Sequence, residues 1–189
     1  LLSRRQRQMC IRDSCYDREL LRMASEQSGI NEALFGQVDE KVKSLPLFGI
    51  SKKIYKGEVF PPESDDFVSD DNLFNYQAKV IKEVAAEESC VIIGRCADFI
   101  LKDNPNVIRL FFYAPREDCI TRVKTQNGGK EKDIIRKIEK TDKYRSDYYK
   151  YHTGKDWNDS RNYDFCLNTA SMSYEKLVAV VKAYIEQYA

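Results

Sequence analysis

An arginine and an aspartate follow a short apolar segment in the middle of the chain. The apolar segment 90–93 is followed by Gly94 and Arg95, and Asp98 comes three residues after Arg95. Glycine lets the backbone turn and lets a ligand approach closely. Arginine offers a planar fork of donors for a phosphate or carboxylate, and the aspartate could bind a base amino group or orient the arginine. The pattern indicates an anion site, and a surface Arg–Asp pair beside a strand end is an equal alternative.

A second set of cations lies in a charged stretch that we expect to form a long helix over residues 130–151. Arg136, Lys140 and Lys143 are spaced i, i+4 and i+7, so they share one helical face. Arg145 lies on a neighbouring face, and Arg122 comes from the preceding helix. A solvated helix with ion pairs explains this pattern without any function.

An aromatic and polar cluster follows, made up of Tyr148, Tyr149, Tyr151, His152 and Trp157. Aromatic rings could stack a nucleobase, which contributes about 1–3 kcal/mol per base in nucleic-acid binders. The alternative is a small core beneath a loop, and for Trp157 we favour that alternative. His152 is the only histidine of the chain, so a catalytic histidine would have to be this residue.

The composition excludes several classes of partner. Lys and Arg number 31 and Asp and Glu number 30, so no global field favours nucleic acid or a membrane surface. No apolar run approaches the roughly 18 residues that span a bilayer. The six cysteines form no C-x-x-C pair and no zinc spacing. We therefore expect reduced thiols in a cytoplasmic protein and no metal site built from cysteine or histidine.

The apolar periodicity predicts one α/β domain over residues 15–189, with helices that alternate with parallel strands. Asp17 is the expected N-cap of the first helix, and Asp71 or Asn72 is expected to open the strong helix in the middle of the chain. Residues 44–71 are expected to be a flexible insertion, and residues 130–161 a lid. The predicted helices cover 18–28, 31–42, 73–88, 97–101, 116–125, 130–151 and 173–188, and the predicted strands cover 90–93, 107–113 and 164–168.

Residues 1–14 differ from the rest of the chain. They are rich in arginine, have no periodic apolar face and contain no apolar core of a secretory signal. We expect them to be a non-native or disordered arm.

From about residue 15 onward the chain resembles the cytidylate kinase-like family of P-loop nucleotide kinases. The motifs that carry the resemblance occur in order: YDRELL at 16–21, VDE at 38–40, ESCVIIGRCAD at 88–98, YAP at 113–115, DKYRSDYY at 142–149, TGKDW at 153–157 and YDFCLN at 163–168. The resemblance implies a three-layer fold with a five-stranded parallel sheet. It also implies phosphoryl transfer from ATP with Mg²⁺ to a nucleoside monophosphate, namely (d)CMP.

The resemblance also assigns roles to individual residues. Arg95 and Asp98 match a Gly-Arg-x-x-Asp element that faces the acceptor nucleotide, and Asp17, after an expected strand, would approach the same site. Arg122 and Arg145 match basic positions around the lid that neutralise the transferring phosphoryl group, and Lys143 lies in the same motif as Arg145. Cations of this kind suit phosphoryl transfer, in which catalysis is mostly positioning and charge stabilisation.

One element of the family pattern is absent from the sequence. Family members begin with a strand, a Gly-rich loop and a helix, which should precede Tyr16, and the phosphate-binding pattern G-x-x-x-x-G-K-[ST] occurs nowhere. We therefore expect a chain that lacks its first strand and P-loop, has little or no activity and leaves the ATP-binding residues unassigned. The alternatives are a non-catalytic nucleotide-binding or regulatory module and a phosphotransferase with another acceptor.

Overall fold

The computed structural model describes residues 14–38 and 54–188. Most of the predicted arm, the end of the second predicted helix and residues 44–53 of the predicted insertion lie outside these ranges. The described residues divide into two compact units. The first unit extends to Lys102 and includes Asp147–Lys155, and the second comprises Asp103–Ser146 and the described residues from Asp156 onward.

The first unit contains a short parallel pair of strands and a group of helices. Strand β1 pairs with β2 in the register Cys15↔Val91 and Tyr16↔Ile92. β1 is the strand that the family resemblance places before Asp17. The elements are β1 (Cys15–Tyr16), α1 (Glu19–Ser28), α2 (Glu32–Val38), α3 (Asp70–Glu87), β2 (Val91–Ile92) and α4 (Ala97–Ile100).

Helix α1 forms where its apolar residues predict it. Leu20, Leu21 and Ala24 are buried on one side of the helix. The helix ends at Gly29, whose φ of 73° is the left-handed conformation that glycine adopts without strain. The expected N-cap was wrong, because Arg18 occupies the N-cap position without a side-chain cap. The carboxylate of Asp17 accepts a hydrogen bond from Arg95 instead.

Helix α3 is the central element of the first unit. It begins at Asp70, earlier than predicted, because Ser69 is the N-cap rather than Asp71 or Asn72. The Ser69 hydroxyl accepts a hydrogen bond from the backbone N–H of Asn72. Apolar side chains such as Leu73, Phe74 and Ile81 are almost completely buried. A helix enclosed on most of its faces is typical of the centre of a core.

The described part of the predicted insertion is attached to α3 through a buried asparagine. The Asn72 side chain accepts a hydrogen bond from Phe60 N at 2.7 Å and donates to the Phe67 carbonyl at 2.8 Å. Earlier in the same segment, the backbone N–H of Tyr55 donates a hydrogen bond to the His152 carbonyl at 3.0 Å. Residues 54–69 therefore have no regular strand or long helix, but their backbone is tied to the core by specific polar contacts.

The second unit contains the other parallel pair of strands. β3 pairs with β4 from Leu110↔Phe165 to Tyr113↔Asn168. The elements are β3 (Leu110–Tyr113), α5 (Arg116–Asn127), α6 (Glu131–Thr153), a 3₁₀ turn (Ser160–Asn162), β4 (Phe165–Asn168) and α7 (Tyr174–Tyr188). α6 begins in this unit and ends in the first unit. It ends two residues later than predicted and so includes His152.

Aromatic contacts and the ion pair of Arg109 with Asp164 stabilise the second unit. The Phe111 ring stacks on Tyr163 at 4.7 Å and meets Trp157 edge-on at 5.7 Å. β3 begins later than predicted, and Arg109, just before it, binds Asp164 through two side-chain hydrogen bonds of 2.9 and 2.7 Å. This ion pair lowers the pKa of Asp164. The small core that we favoured for Trp157 is therefore confirmed.

The arrangement is α/β, as predicted, with parallel strands and flanking helices. Within residues 14–38 and 54–188 the strands form two separate two-stranded sheets, whereas the family resemblance implied a single five-stranded sheet. The strands described are short, so each sheet serves mainly to align the loops that follow its strands.

Candidate functional site

An ion pair joins the loops that follow the two strands of the first unit. Asp17 comes directly after β1, and Arg95 comes shortly after β2. Because the strands are parallel, both loops lie at the carboxyl-terminal edge of the sheet, where α/β proteins bind ligands. Arg95 Nη1 donates to Asp17 Oδ1 at 2.9 Å and to the Ile93 carbonyl at 3.2 Å.

The backbone around Arg95 adopts a rare conformation. Gly94, Arg95 and Cys96 have φ angles of 71°, 53° and 55°, so the chain passes through three successive left-handed residues. For residues other than glycine this conformation costs roughly 1–2 kcal/mol each. From this turn the Arg95 side chain is 2% exposed, whereas its partner Asp17 is 58% exposed. The arginine is thus held in one place by the turn and by its partner, at a cost in backbone strain.

Asp98 lies on α4, close to this turn. Its carboxylate accepts a hydrogen bond of 2.6 Å from the Tyr149 hydroxyl. The idea that Asp98 orients Arg95 is therefore replaced by a different pairing, in which Tyr149 is the partner. Burial raises the pKa of Asp98, and the hydrogen bond from Tyr149 and the charge of Lys155 act in the opposite direction. The hydrogen bond from Tyr149 fixes the position of the Asp98 carboxylate, which can accept further hydrogen bonds.

The aromatic cluster at the end of α6 is part of the core. The His152 ring stacks on Phe74 with centroids 3.8 Å apart, and Tyr148 meets both rings edge-on. Burial lowers the pKa of His152 to about 3, so the imidazole is neutral at physiological pH. The reading of these rings as a small core is confirmed for Tyr148 and His152, and a His152 catalytic base has no support.

Tyr149 was not predicted as a partner of the site. Its position in an aromatic cluster indicated either base stacking or core packing. The available signal was chemical, because a buried tyrosine hydroxyl normally finds a hydrogen-bond partner. Sequence spacing could not name that partner, since Asp98 and Tyr149 are 51 residues apart.

The candidate catalytic cations lie in the second unit. Arg122 is exposed on α5, and Lys143 and Arg145 are exposed on α6. The Arg122 guanidinium donates to the Thr169 hydroxyl at 3.3 Å, and that hydroxyl donates to the Tyr113 carbonyl at 3.2 Å. These contacts place Arg122 beside the carboxyl ends of β3 and β4. Asp17, Arg95 and Asp98 belong to the first unit.

The fit of the residues to ATP and Mg²⁺ can be tested within residues 14–38 and 54–188. No cluster of three or more His, Cys, Asp or Glu side chains suited to a metal ion occurs there. The turn after β2 contains one glycine, Gly94, and is not a glycine-rich loop. The described residues therefore do not fit the donor phosphates or the metal. In the same residues, no helix has the length and apolar character needed to cross a membrane.

A comparison with known protein families shows to which family the chain belongs. The cytidylate kinase-like family matches residues 12–171, which include every residue of both candidate groups. The chain belongs to the cytidylate kinase-like family. The resemblance inferred from the ordered motifs is thereby confirmed.

Two further proteins resemble the chain. A crystal structure of an uncharacterized protein from Eubacterium ventriosum aligns with a TM-score of 0.58 at 33% identity, over 62% of this chain and 74% of that one. A uronate isomerase from Corynebacterium glutamicum is 30% identical over 107 residues, which are 55% of this chain and 20% of that protein. The chain thus matches about a fifth of the length of that relative.

Proposed function

We propose that this member of the cytidylate kinase-like family is a nucleoside monophosphate kinase with a P-loop NTPase-like fold. In the proposed reaction ATP with Mg²⁺ phosphorylates (d)CMP. The observation that carries the proposal is the enclosed Arg95, held beside Asp17 where the loops after two parallel strands meet.

The residues of the first unit bind the acceptor. The Arg95 guanidinium takes the phosphate of the monophosphate, because its planar fork matches two phosphate oxygens. In the free chain the Asp17 carboxylate binds the Arg95 guanidinium. Because Asp17 is exposed, the incoming phosphate can displace it. Asp98 accepts hydrogen bonds from the amino group of the base, with Tyr149 fixing the position of its carboxylate.

The residues of the second unit supply positive charge. Arg122, Lys143 and Arg145 neutralise the negative charge that spreads over the phosphoryl group during transfer. The family resemblance implies ATP with Mg²⁺ as the phosphoryl donor. The described residues form no cradle for either, so no donor-binding residue is assigned.

Binding of the acceptor tests the proposal directly. Isothermal titration of CMP, dCMP, UMP and AMP into the chain is expected to show binding, with CMP or dCMP tightest. Arg95→Lys keeps the charge but loses the planar fork, and we expect it to weaken CMP binding about 100-fold. Arg161→Lys is the matched control, because Arg161 forms an exposed pair with Asp159 and its side chain is 87% exposed.

Phosphoryl transfer is measured by coupled ADP release with the same nucleotides, on the chain with a family-like strand, Gly-rich loop and helix joined before Tyr16, because we expect little or no activity from the chain alone. Turnover with CMP or dCMP supports the kinase, and a preference for an acceptor other than a monophosphate would assign a different phosphotransferase. If no monophosphate binds or turns over, the proposal fails.

A second candidate is a non-catalytic nucleotide-binding or regulatory module. The absence of G-x-x-x-x-G-K-[ST] from the sequence favours it. This module would raise its melting temperature with nucleotide, as expected when a ligand binds only the folded state, while ADP release stays at background. A nucleotide panel without any thermal shift would exclude it.

A further inference from the structure

The most unusual buried group of the first unit is a glutamine carboxamide. Gln77 lies in the middle of α3 and is 1% exposed. Within residues 14–38 and 54–188, neither its Oε1 nor its Nε2 has a hydrogen-bond partner. Buried amides are normally bonded, because an unmatched donor or acceptor has lost its water without replacement. The Gln77 amide therefore needs a partner from outside the described residues, either a water molecule or a ligand.

Asn72 provides the contrast on the same helix. Asn72 is 0% exposed, and its carboxamide bonds the backbone of Phe60 and Phe67. Its role is therefore to hold the segment before α3. Gln77 carries the same chemical group one and a half turns later, yet its amide bonds no atom of the part of the chain that the structure describes. Gln77 therefore does not hold a neighbouring segment through hydrogen bonds to its backbone, as Asn72 does.

The position of Gln77 relates it to the acceptor site. α3 packs against α1, which follows Asp17, and against α4, which carries Asp98. Gln77 shares a helical face with Phe74, three residues before it. The Phe74 ring contacts Tyr148, and the adjacent Tyr149 bonds Asp98. The orphan amide lies on the helix that supports the residues proposed to hold the nucleotide.

We propose that Gln77 recognises the heterocycle of the bound nucleoside monophosphate. A carboxamide presents an acceptor beside a donor, which complements the edge of a nucleobase with an amino group next to a ring nitrogen. Because the amide is enclosed in the free chain, the base reaches it through a local separation of α3 and α4. The hydrogen bonds formed there offset that opening. This inference rests on the proposed function and extends it to the base.

Gln77→Met tests the inference, because it keeps the length of the side chain and removes the amide. We expect the melting temperature of the free chain to rise by about 2–4 °C, since an unmatched polar group is removed from the core. The Kd for CMP is expected to rise about tenfold. The Kd for ribose 5-phosphate, which lacks a base, is expected to stay unchanged.

Asn72→Leu is the matched control on the same helix. It also replaces an amide with an apolar group, but it breaks three hydrogen bonds to the backbone, so the melting temperature is expected to fall. A second measurement needs no variant. In ¹H–¹⁵N spectra of the wild-type chain, the Gln77 side-chain NH₂ signals are expected to shift with CMP and not with ribose 5-phosphate.

The outcomes separate the inference from the proposed function. If the wild-type chain binds no monophosphate, both fail. If CMP binds the wild-type and Gln77→Met chains equally and the Gln77 NH₂ signals do not move, only the inference fails. A lower melting temperature with equal loss of CMP and ribose 5-phosphate binding would assign Gln77 a purely structural role, for example through an internal water, and would also overturn the inference.

Discussion

In the first unit Arg95 is buried and Asp98 is partly buried, whereas the candidate cations of the second unit face solvent. Arg95 is 3% exposed, and the same unit also buries the neutral His152. Arg122, Lys143 and Arg145 are all exposed on helices. The first group is held in place by strained backbone, an ion pair and burial. The second group is placed by the helices that carry it and by polar contacts such as that of Arg122 with Thr169.

The difference teaches where stability and function are coupled. In the first unit a polar side chain changes the free energy of unfolding as well as any chemistry, because its surroundings have replaced water. In the second unit an exposed cation can be removed with little effect on folding. Substitutions in the two units, together with a change of pH, should therefore range from a large effect on the free energy of unfolding to almost none.

The largest expected effect is a loss of stability at mildly acidic pH caused by His152. Its pKa in the folded chain is about 3, below the ordinary value of 6.5. Stability from the neutral ring is therefore complete above pH 6.5 and is lost as pH falls from 6.5 towards 3. Urea melts followed by circular dichroism should show the free energy of unfolding falling by about 2 kcal/mol between about pH 7 and pH 5.

His152→Phe is the control for this effect, because it keeps a ring against Phe74 and removes the titration. We expect the variant to lose nearly all of the pH dependence in that window. The carboxylates with lowered pKa values, namely Glu88, Glu175 and Asp164, lose their contribution only below their ordinary values of 4.5, 4.5 and 3.8. An unchanged slope in His152→Phe would show that the buried imidazole is not the group responsible.

Sequence and structure agree best where a local rule decides. The apolar spacing of Leu20, Leu21 and Ala24 and the glycine after them located α1, and Arg95 was found from a glycine at a strand end. The start of α3 was missed because several polar residues could serve as its N-cap, and the choice of Ser69 depends on how the preceding segment folds.

The parts of the site that escaped prediction depend on contacts between distant segments. Nothing in the spacing pairs Tyr149 with Asp98, and no rule for single sequences places Cys96 in a left-handed conformation. Gln77 fits the periodicity of α3 as an ordinary inward position, and its orphan amide is visible only when its neighbours in space are known. Residue types were thus predictable, whereas their partners were set by tertiary packing.

An intermediate effect is expected at Tyr149. Tyr149→Phe removes the hydrogen bond to Asp98, and that bond lowers the pKa of a carboxyl that burial already raises. The pKa of Asp98 is therefore expected to rise further, and the free energy of unfolding at neutral pH to fall by about 1.5 kcal/mol. A ¹³C titration of the Asp98 carboxyl measures the first quantity and urea melts the second.

Tyr144→Phe is the matched hydroxyl deletion on the same helix. The described contact of Tyr144 is made by its ring, with Lys140 Nζ at 5.6 Å, so the deletion should change neither quantity. Equal effects of the two deletions would mean that the Tyr149 hydroxyl does not control Asp98.

The smallest effect on stability is expected at the candidate catalytic cations. Arg122→Met and Lys143→Met should change the free energy of unfolding by less than about 0.5 kcal/mol, because both side chains are exposed. Trp157, the only tryptophan of the chain, lies in the second unit and reports its unfolding by fluorescence. Arg109→Met serves as the contrasting variant, since its bonds to Asp164 are partly buried and their loss should cost about 1–3 kcal/mol. If Arg122→Met destabilised the second unit as much as Arg109→Met, the exposed cations would be structural. Normal stability with reduced phosphoryl transfer would instead place their contribution in the chemistry alone.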